Sequence, residues 1–188
     1  MKIKLNFIFI IALFFLISCK KENNKICRAG VFNRDMVYYN FNCDTISNYK
    51  AFDLNRDGKD DFCIAADSVH TNNGHDFKST ISILDNSFEF AITEDFISPI
   101  IIGYYDVIND DNYIWSNKPQ APLDFFKLVR DCDVQETGMH EVYNYWFYKT
   151  GGYIGIRQYS NKKYKYGWLN IRVIDYNKVI VFDCAFTK

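Results

Sequence analysis

Proline is scarce in this chain, at three residues in 188, and alanine is sparse as well. What fills their place is aromatic: 14 tyrosines and 17 phenylalanines, residues that favour a pleated, half-buried surface. No charge of one sign dominates, with 22 Lys and Arg against 23 Asp and Glu. No basic stripe answers a phosphate backbone, so nucleic acid is not an expected partner. No Cys-x-x-Cys spacing occurs, which argues against a thiolate zinc site. No unit recurs along the chain, which excludes a multi-bladed propeller, because repeats must recur. No nucleophile, acid/base pair or cofactor loop stands out, so the sequence assigns no catalytic residue.

What is present is concentrated in Phe52-Asp53-Leu54-Asn55-Arg56-Asp57-Gly58-Lys59-Asp60-Asp61-Phe62. Asp53, Asn55, Asp57 and Asp61 occupy positions 1, 3, 5 and 9 of a calcium loop, and Gly58 occupies position 6, where the sharp turn needs a residue without Cβ. Calcium is a hard cation that gathers oxygens, and alternate side chains converge on it when the backbone curls. Lys59, at position 7, would contribute its backbone carbonyl. Position 12, a bidentate Glu in the helix-flanked version, is Ile64, which cannot ligate. Asp61 must therefore bind directly, or another part of the chain must supply an oxygen. Without that Glu the affinity expected is about 10⁻⁴–10⁻³ M, and the ion's role structural. The competing reading is an Asp/Asn/Gly turn with no metal.

The flanks of the loop, residues 48–52 and 62–66, are aromatic and β-branched rather than helical in period, so the expected setting is strand–loop–strand. In this the run resembles the β-flanked calcium loops of FG-GAP and related extracellular repeats.

The N-terminus reads as an address. Lys2 and Lys4 precede an apolar run of about 11 residues, too short to span a bilayer as a helix. It ends in Leu16-Ile17-Ser18-Cys19, which is similar to the lipobox of bacterial lipoproteins. The resemblance implies that residues 1–18 are cleaved and that Cys19 is lipidated. An ordinary secretion signal with a chance cysteine is the rival. Residues 19–26 then form a polar tether, and residues 27–188 form one domain. Cleavage removes two lysines and no acid, which shifts the net charge from −1 to about −3. Lys20, rather than Asp, follows the cysteine, which tilts the expected location toward the outer membrane. The membrane is thus a partner through the lipid.

The expected fold is all-β: an antiparallel β-sandwich, jelly-roll-like, with at most one short helix, at residues 124–131. Residues 37–41 read as a strand. Residues 67–78 read as a polar loop with Asn-Asn-Gly at its tip, holding His70 and His75. Residues 80–84 and 87–93 alternate like a hairpin about Asp85-Asn86. Residues 143–148 read as an aromatic strand. Residues 106–112 echo the calcium loop faintly but fail in spacing. Besides Cys19, the chain carries Cys27, Cys43, Cys63, Cys132 and Cys184. In an oxidising compartment some should pair, and a Cys43–Cys63 bridge would brace the loop.

In the last third, period two sorts residues 164–173 into two faces. Gly167, Leu169, Ile171 and Val173 form a core face. Tyr164, Tyr166, Trp168, Asn170 and Arg172 form an aromatic row, suited either to stacking sugar rings or to packing beneath a loop or second sheet. Asp-Leu-Asn-Arg-Asp-Gly-Lys-Asp-Asp-Phe early, Tyr-Ile-Gly-Ile-Arg and Tyr-Gly-Trp-Leu late, and a closing Asp-Cys-Ala-Phe strand resemble a group of secreted or lipid-anchored bacterial β-proteins of uncharacterised function. That resemblance implies architecture and brings no reaction with it.

Three functions remain open on these grounds. The first is a non-enzymatic, calcium-stabilised, lipid-anchored binding module of the envelope, with a glycan as candidate ligand at Tyr164, Tyr166 and Trp168. The second is a glycan-active hydrolase with carboxylates such as Asp133, Glu136 or Glu141 beside that row, which needs two of them about 5–9 Å apart. The third is a structural lipoprotein whose one ligand is the ion.

Overall fold

The structure is a computed structural model that describes residues 26–135, 137–147 and 151–188. The lipobox, Cys19, Glu136 and Tyr148 lie outside the described residues. Among the described residues thirteen strands are formed and no helix occurs.

The strands are β1 (Cys27–Arg28), β2 (Met36–Ile46), β3 (Tyr49–Phe52), β4 (Phe62–Thr71), β5 (Gly74–Ile83), β6 (Phe88–Ile92) and β7 (Val107–Ile108). They continue as β8 (Ile114–Ser116), β9 (Phe126–Val134), β10 (Met139–Tyr143), β11 (Gly152–Ser160), β12 (Lys163–Asp175) and β13 (Lys178–Thr187). A five-stranded sheet runs β10-β9-β5-β4-β3, a six-stranded sheet runs β2-β13-β12-β11-β6-β8, and β1 pairs with β7. Every pairing is antiparallel. Half of the ten pairings join strands consecutive in the chain, mostly through short turns: Asn161 and Lys162 both take positive φ between β11 and β12, the geometry of a tight hairpin.

The two large sheets share one apolar core, built from alternate residues of each strand. Ile64, Ile81 and Phe126 of one sheet meet Phe90, Ile154, Leu169, Ile171 and Val181 of the other. Phe90 stands edge-on to Phe62 and Phe126, with centroids at 5.9 and 5.8 Å, the arrangement that ring quadrupoles favour. The core face expected of Leu169, Ile171 and Val173 is therefore present.

A second apolar cluster covers the opposite side of the six-stranded sheet. There β1, β7 and Ile102 lie over Ala91, Trp168 and Ala185. Small residues permit this close approach: a Cβ on Gly155 would stand 2.9 Å from Ile102 Cδ1 and 3.1 Å from the Ala91 Cβ.

Four sequence expectations are corrected. Residues 124–131 hold no helix; β9 occupies most of them, paired with β5. A register shift between Ser79 and Thr80 lets both Leu128 and Val129 point into the core, which breaks the period of two. Residues 80–84 and 87–93 do not form a hairpin, because β5 and β6 belong to different sheets and the chain crosses between them. Residues 144–147 are not strand; Tyr143 ends β10, and beyond it Trp146 is fully buried with its indole N–H donating to Pro99 O at 2.9 Å. Finally, Cys27, Cys43, Cys63, Cys132 and Cys184 are all free thiols. Cys43 lies exposed on β2, while Cys63 is buried on β4 of the other sheet.

Candidate functional site

The loop between β3 and β4 sits in the expected strand–loop–strand setting, with Phe52 opposite Phe62 and their rings stacked at 4.8 Å. It also links the two sheets. Arg56 reaches from the loop to Tyr39 on β2, its Nε donating to the phenol oxygen at 2.6 Å and its guanidinium lying 4.5 Å from the ring centroid. The carbonyl of Asp61 accepts from Leu84 and Asp85 N–H at 2.8 and 3.1 Å, which ties the loop to the crossing between sheets.

The loop's polar side chains mostly cap its own backbone. Asp53 accepts from Arg56 N–H at 2.7 Å and Gly58 N–H at 2.9 Å. Asn55 Oδ1 accepts from Asp57 N–H, and Asp57 Oδ1 from Lys59 N–H, both at 2.9 Å. These are turns of the Asx kind, which form with or without an ion. Gly58 takes φ +87° with open space around it, so the backbone conformation rather than any neighbour asks for glycine. Lys59 is exposed.

Asp61 is different. It is fully buried, and its Oδ2 accepts from Leu54 N–H at 2.6 Å and Asn55 N–H at 3.3 Å. Its Oδ1 is buried with no hydrogen-bond partner. Burial pushes its pKa up to about 6; the two amides pull it down, and the Asp53 and Asp57 carboxylates push it up further. A buried carboxylate oxygen without a donor is costly. The site therefore offers one orphaned oxygen and neighbouring anions, a donor set of the hard oxygens calcium takes. Among the described residues, no three His, Cys, Asp or Glu side chains are already drawn together at metal-holding separation. The fit rests on Asp61 and on oxygens now turned to loop amides.

The aromatic row is not an open platform. Trp168 is buried beneath β1, its indole N–H donating to Val31 O at 3.0 Å. Tyr166 packs against Trp115 with centroids at 5.9 Å. Tyr164 is exposed, but the protein's own Arg157 lies 4.0 Å from its ring centroid and 4.8 Å from that of Trp115. The carboxylates weighed for hydrolysis stand elsewhere: Asp133 on β9 and Glu141 on β10, both in the other sheet. Glu141 is engaged by Lys127 and Arg130.

His70 and His75 face one another across the β4–β5 turn, so what read as a loop is the end of a long hairpin. Each ring lies 4.8 Å from Phe77, and His75 Nε2 is 3.2 Å from Asp131 Oδ1.

A cleft that the sequence did not suggest opens beside β1 and β7, with a volume of about 640 Å³ and Arg28, Tyr104, Tyr105, Asp106, Asn112 and Tyr113 among its walls. Its walls meet through pairing of residues some 80 positions apart, Cys27 with Ile108 and Arg28 with Val107, and two-residue strands carry no periodic signal.

A scan of family models, a search of curated proteins and a search of solved structures each return no match for this chain.

Proposed function

We propose that this protein is a lipid-anchored envelope protein, a non-enzymatic binding module whose β3–β4 loop is held by a structural calcium ion. The buried, unpartnered Oδ1 of Asp61 carries the metal reading. Asp53, Asn55, Asp57 and Asp61 would ligate through side chains, and Lys59 through its carbonyl. Bound calcium supplies positive charge among the carboxylates. The chain's own part is to hold Asp61 by the Leu54 and Asn55 amides and to bind the loop to Tyr39 and to the crossing at Leu84. The loop then fixes how the two sheets meet. The lipid reading rests on Leu16, Ser18 and Cys19, and gives an outer-membrane location in contact with extracytoplasmic calcium.

The test is thermal melting of the wild type and of the Asp53→Ala/Asp57→Ala pair, in 10 mM calcium and in chelator. At a Kd of about 10⁻³ M, calcium should stabilise the wild type by about 1.4 kcal/mol, a rise of roughly 3–6 °C. The pair should show no rise. Equal melting of the wild type in both conditions means that the loop is only a turn.

A further inference from the structure

We propose that the cleft beside β1 and β7 is a saccharide-binding site, in which Tyr104 and Tyr105 stack on sugar rings while Arg28, Asp106 and Asn112 take their hydroxyls. This gives the binding module its ligand. It rests on that reading of the protein, and not on the calcium ion.

The first observation is exposure. Tyr104 and Tyr105 are 68% and 56% exposed, adjacent, and tilted by 44° with centroids 6.1 Å apart. Tyr104 offers an open ring face, and Tyr105, one face of which lies under the Arg28 guanidinium, offers the face turned away from it.

The second is preorganisation. Tyr105 holds φ +74°, a conformation uncommon for any residue with a Cβ and costly for a bulky one. The surroundings enforce it. Its N–H donates to Ala29 O at 2.9 Å, its carbonyl accepts from Arg28 Nη1 at 3.1 Å, and the Arg28 guanidinium lies 4.7 Å from its ring centroid. Tyr104 is backed by Tyr153 at 6.4 Å, which stands edge-on to the buried Trp168 at 5.4 Å. A Cβ on Gly30 would strike the Tyr104 ring at 2.6 Å, so glycine there lets the ring lie against the backbone. Ordering cost is thus met before a ligand arrives.

The third is polar chemistry. Asp106 Oδ2 is fixed by Gly103 N–H at 3.0 Å, which leaves Oδ1 to accept from a ligand. Asn112 donates from Nδ2 to Val107 O at 3.0 Å, which orients its amide. The cleft is shallow and open, with about 640 Å³ of space, a shape that suits a small oligosaccharide lying along the surface. An apolar ring face together with hydrogen-bonding groups at the rim is what a sugar presents. An anionic lipid surface fits less well, because a carboxylate is fixed in the cleft wall.

The test uses the full chain in detergent, titrated calorimetrically with cellohexaose, chitohexaose and laminarihexaose. The wild type is expected to bind at least one of them. Tyr104→Ala and Tyr105→Asn should each weaken that binding at least about fivefold at unchanged melting temperature; Asn suits the positive φ. Tyr159→Ala, on β11 beside Tyr164 and away from the cleft, should bind as the wild type does. The proposal is overturned if none of the three sugars binds, or if Tyr104→Ala and Tyr105→Asn both bind unchanged. It is also overturned in favour of a membrane contact if the Cys19→Ser chain binds no sugar but cosediments with phosphatidylcholine/phosphatidylglycerol vesicles and loses this with Tyr104→Ala. Failure of the calcium reading is seen separately, in the melting comparison, and leaves this result standing.

Discussion

At the scale of a residue, Asp61 does two jobs that conflict. Its backbone joins β3, β4 and the crossing to β6, while its side chain brings an anion into the core of the molecule. Asp61→Asn separates the two. The amide keeps one oxygen for the Leu54 and Asn55 N–H groups and removes the charge that burial and the Asp53 and Asp57 carboxylates oppose. In chelator at pH 7, the variant should be at least as stable as the wild type in urea unfolding, since an unpaired buried charge is gone. In calcium the order should reverse, by about 1 kcal/mol. A variant less stable than the wild type in chelator would mean that the carboxylate is satisfied without an ion.

Gly58 and the Asp/Asn turns were legible from residue types, because loop conformation there is decided locally. The isolation of Asp61 Oδ1 was not, because burial is a property of everything packed around it.

At the scale of an element, the outward face of β5, β9 and β10 carries an ion network. Arg130 grips Asp76 through Nε and Nη2 at 2.9 and 3.0 Å and also bonds Glu141, which bonds Lys127. The hydrogen bonds from Arg130 hold the Asp76 carboxyl below its usual range, against the effect of burial. Burial pushes Glu141 up, but Lys127 and Arg130 outweigh it and its pKa also falls. Both folded values lie below the unfolded ones, so the network's stabilisation is present above pH about 4 and is lost as pH falls through the depressed values. Asp76→Asn should therefore cost about 1–3 kcal/mol at pH 7. The gap from the wild type should narrow as pH drops below about 4, read from urea unfolding at a series of pH values. A gap that stays constant to pH 3 would show that Asp76 contributes shape rather than charge.

Elements were legible where both the period and the turn were local. β12, sorted by period two, is an example, as is the strand pair around the calcium-type loop. They were misread where a distant partner set the pattern. The bulge against β5 puts Leu128 and Val129 side by side in the core, which alternation cannot produce. Residues 80–93 alternate correctly, yet pair with two different sheets.

At the scale of the whole molecule, the six-stranded sheet is covered on both faces, and this decides what its aromatic residues do. Trp168 becomes core beneath β1, while Tyr104 and Tyr105 of the 103–106 turn are among the tyrosines left exposed. The chain emerges from this same side at Ile26, which is 60% exposed. If Cys19 carries the lipid, about seven residues at 3.3–3.6 Å each separate it from Ile26, so the domain is held within roughly 25 Å of the membrane. Cys19→Ser should shift the protein from the membrane to the soluble fraction, followed by detergent-free fractionation and immunoblot. Undiminished membrane association would remove the lipid anchor from the account.

The sequence by itself determined the all-β class, the strand–loop–strand setting of Asp53 to Asp61, and the core face of β12, because alternation, turn chemistry and residue type act over a few neighbouring residues. The tertiary structure alone decided which strands share a sheet, that Trp168 is buried, that the five described cysteines are unpaired, and that Arg28 meets Tyr105. Those outcomes depend on contacts between residues far apart in the chain, and no local pattern encodes them.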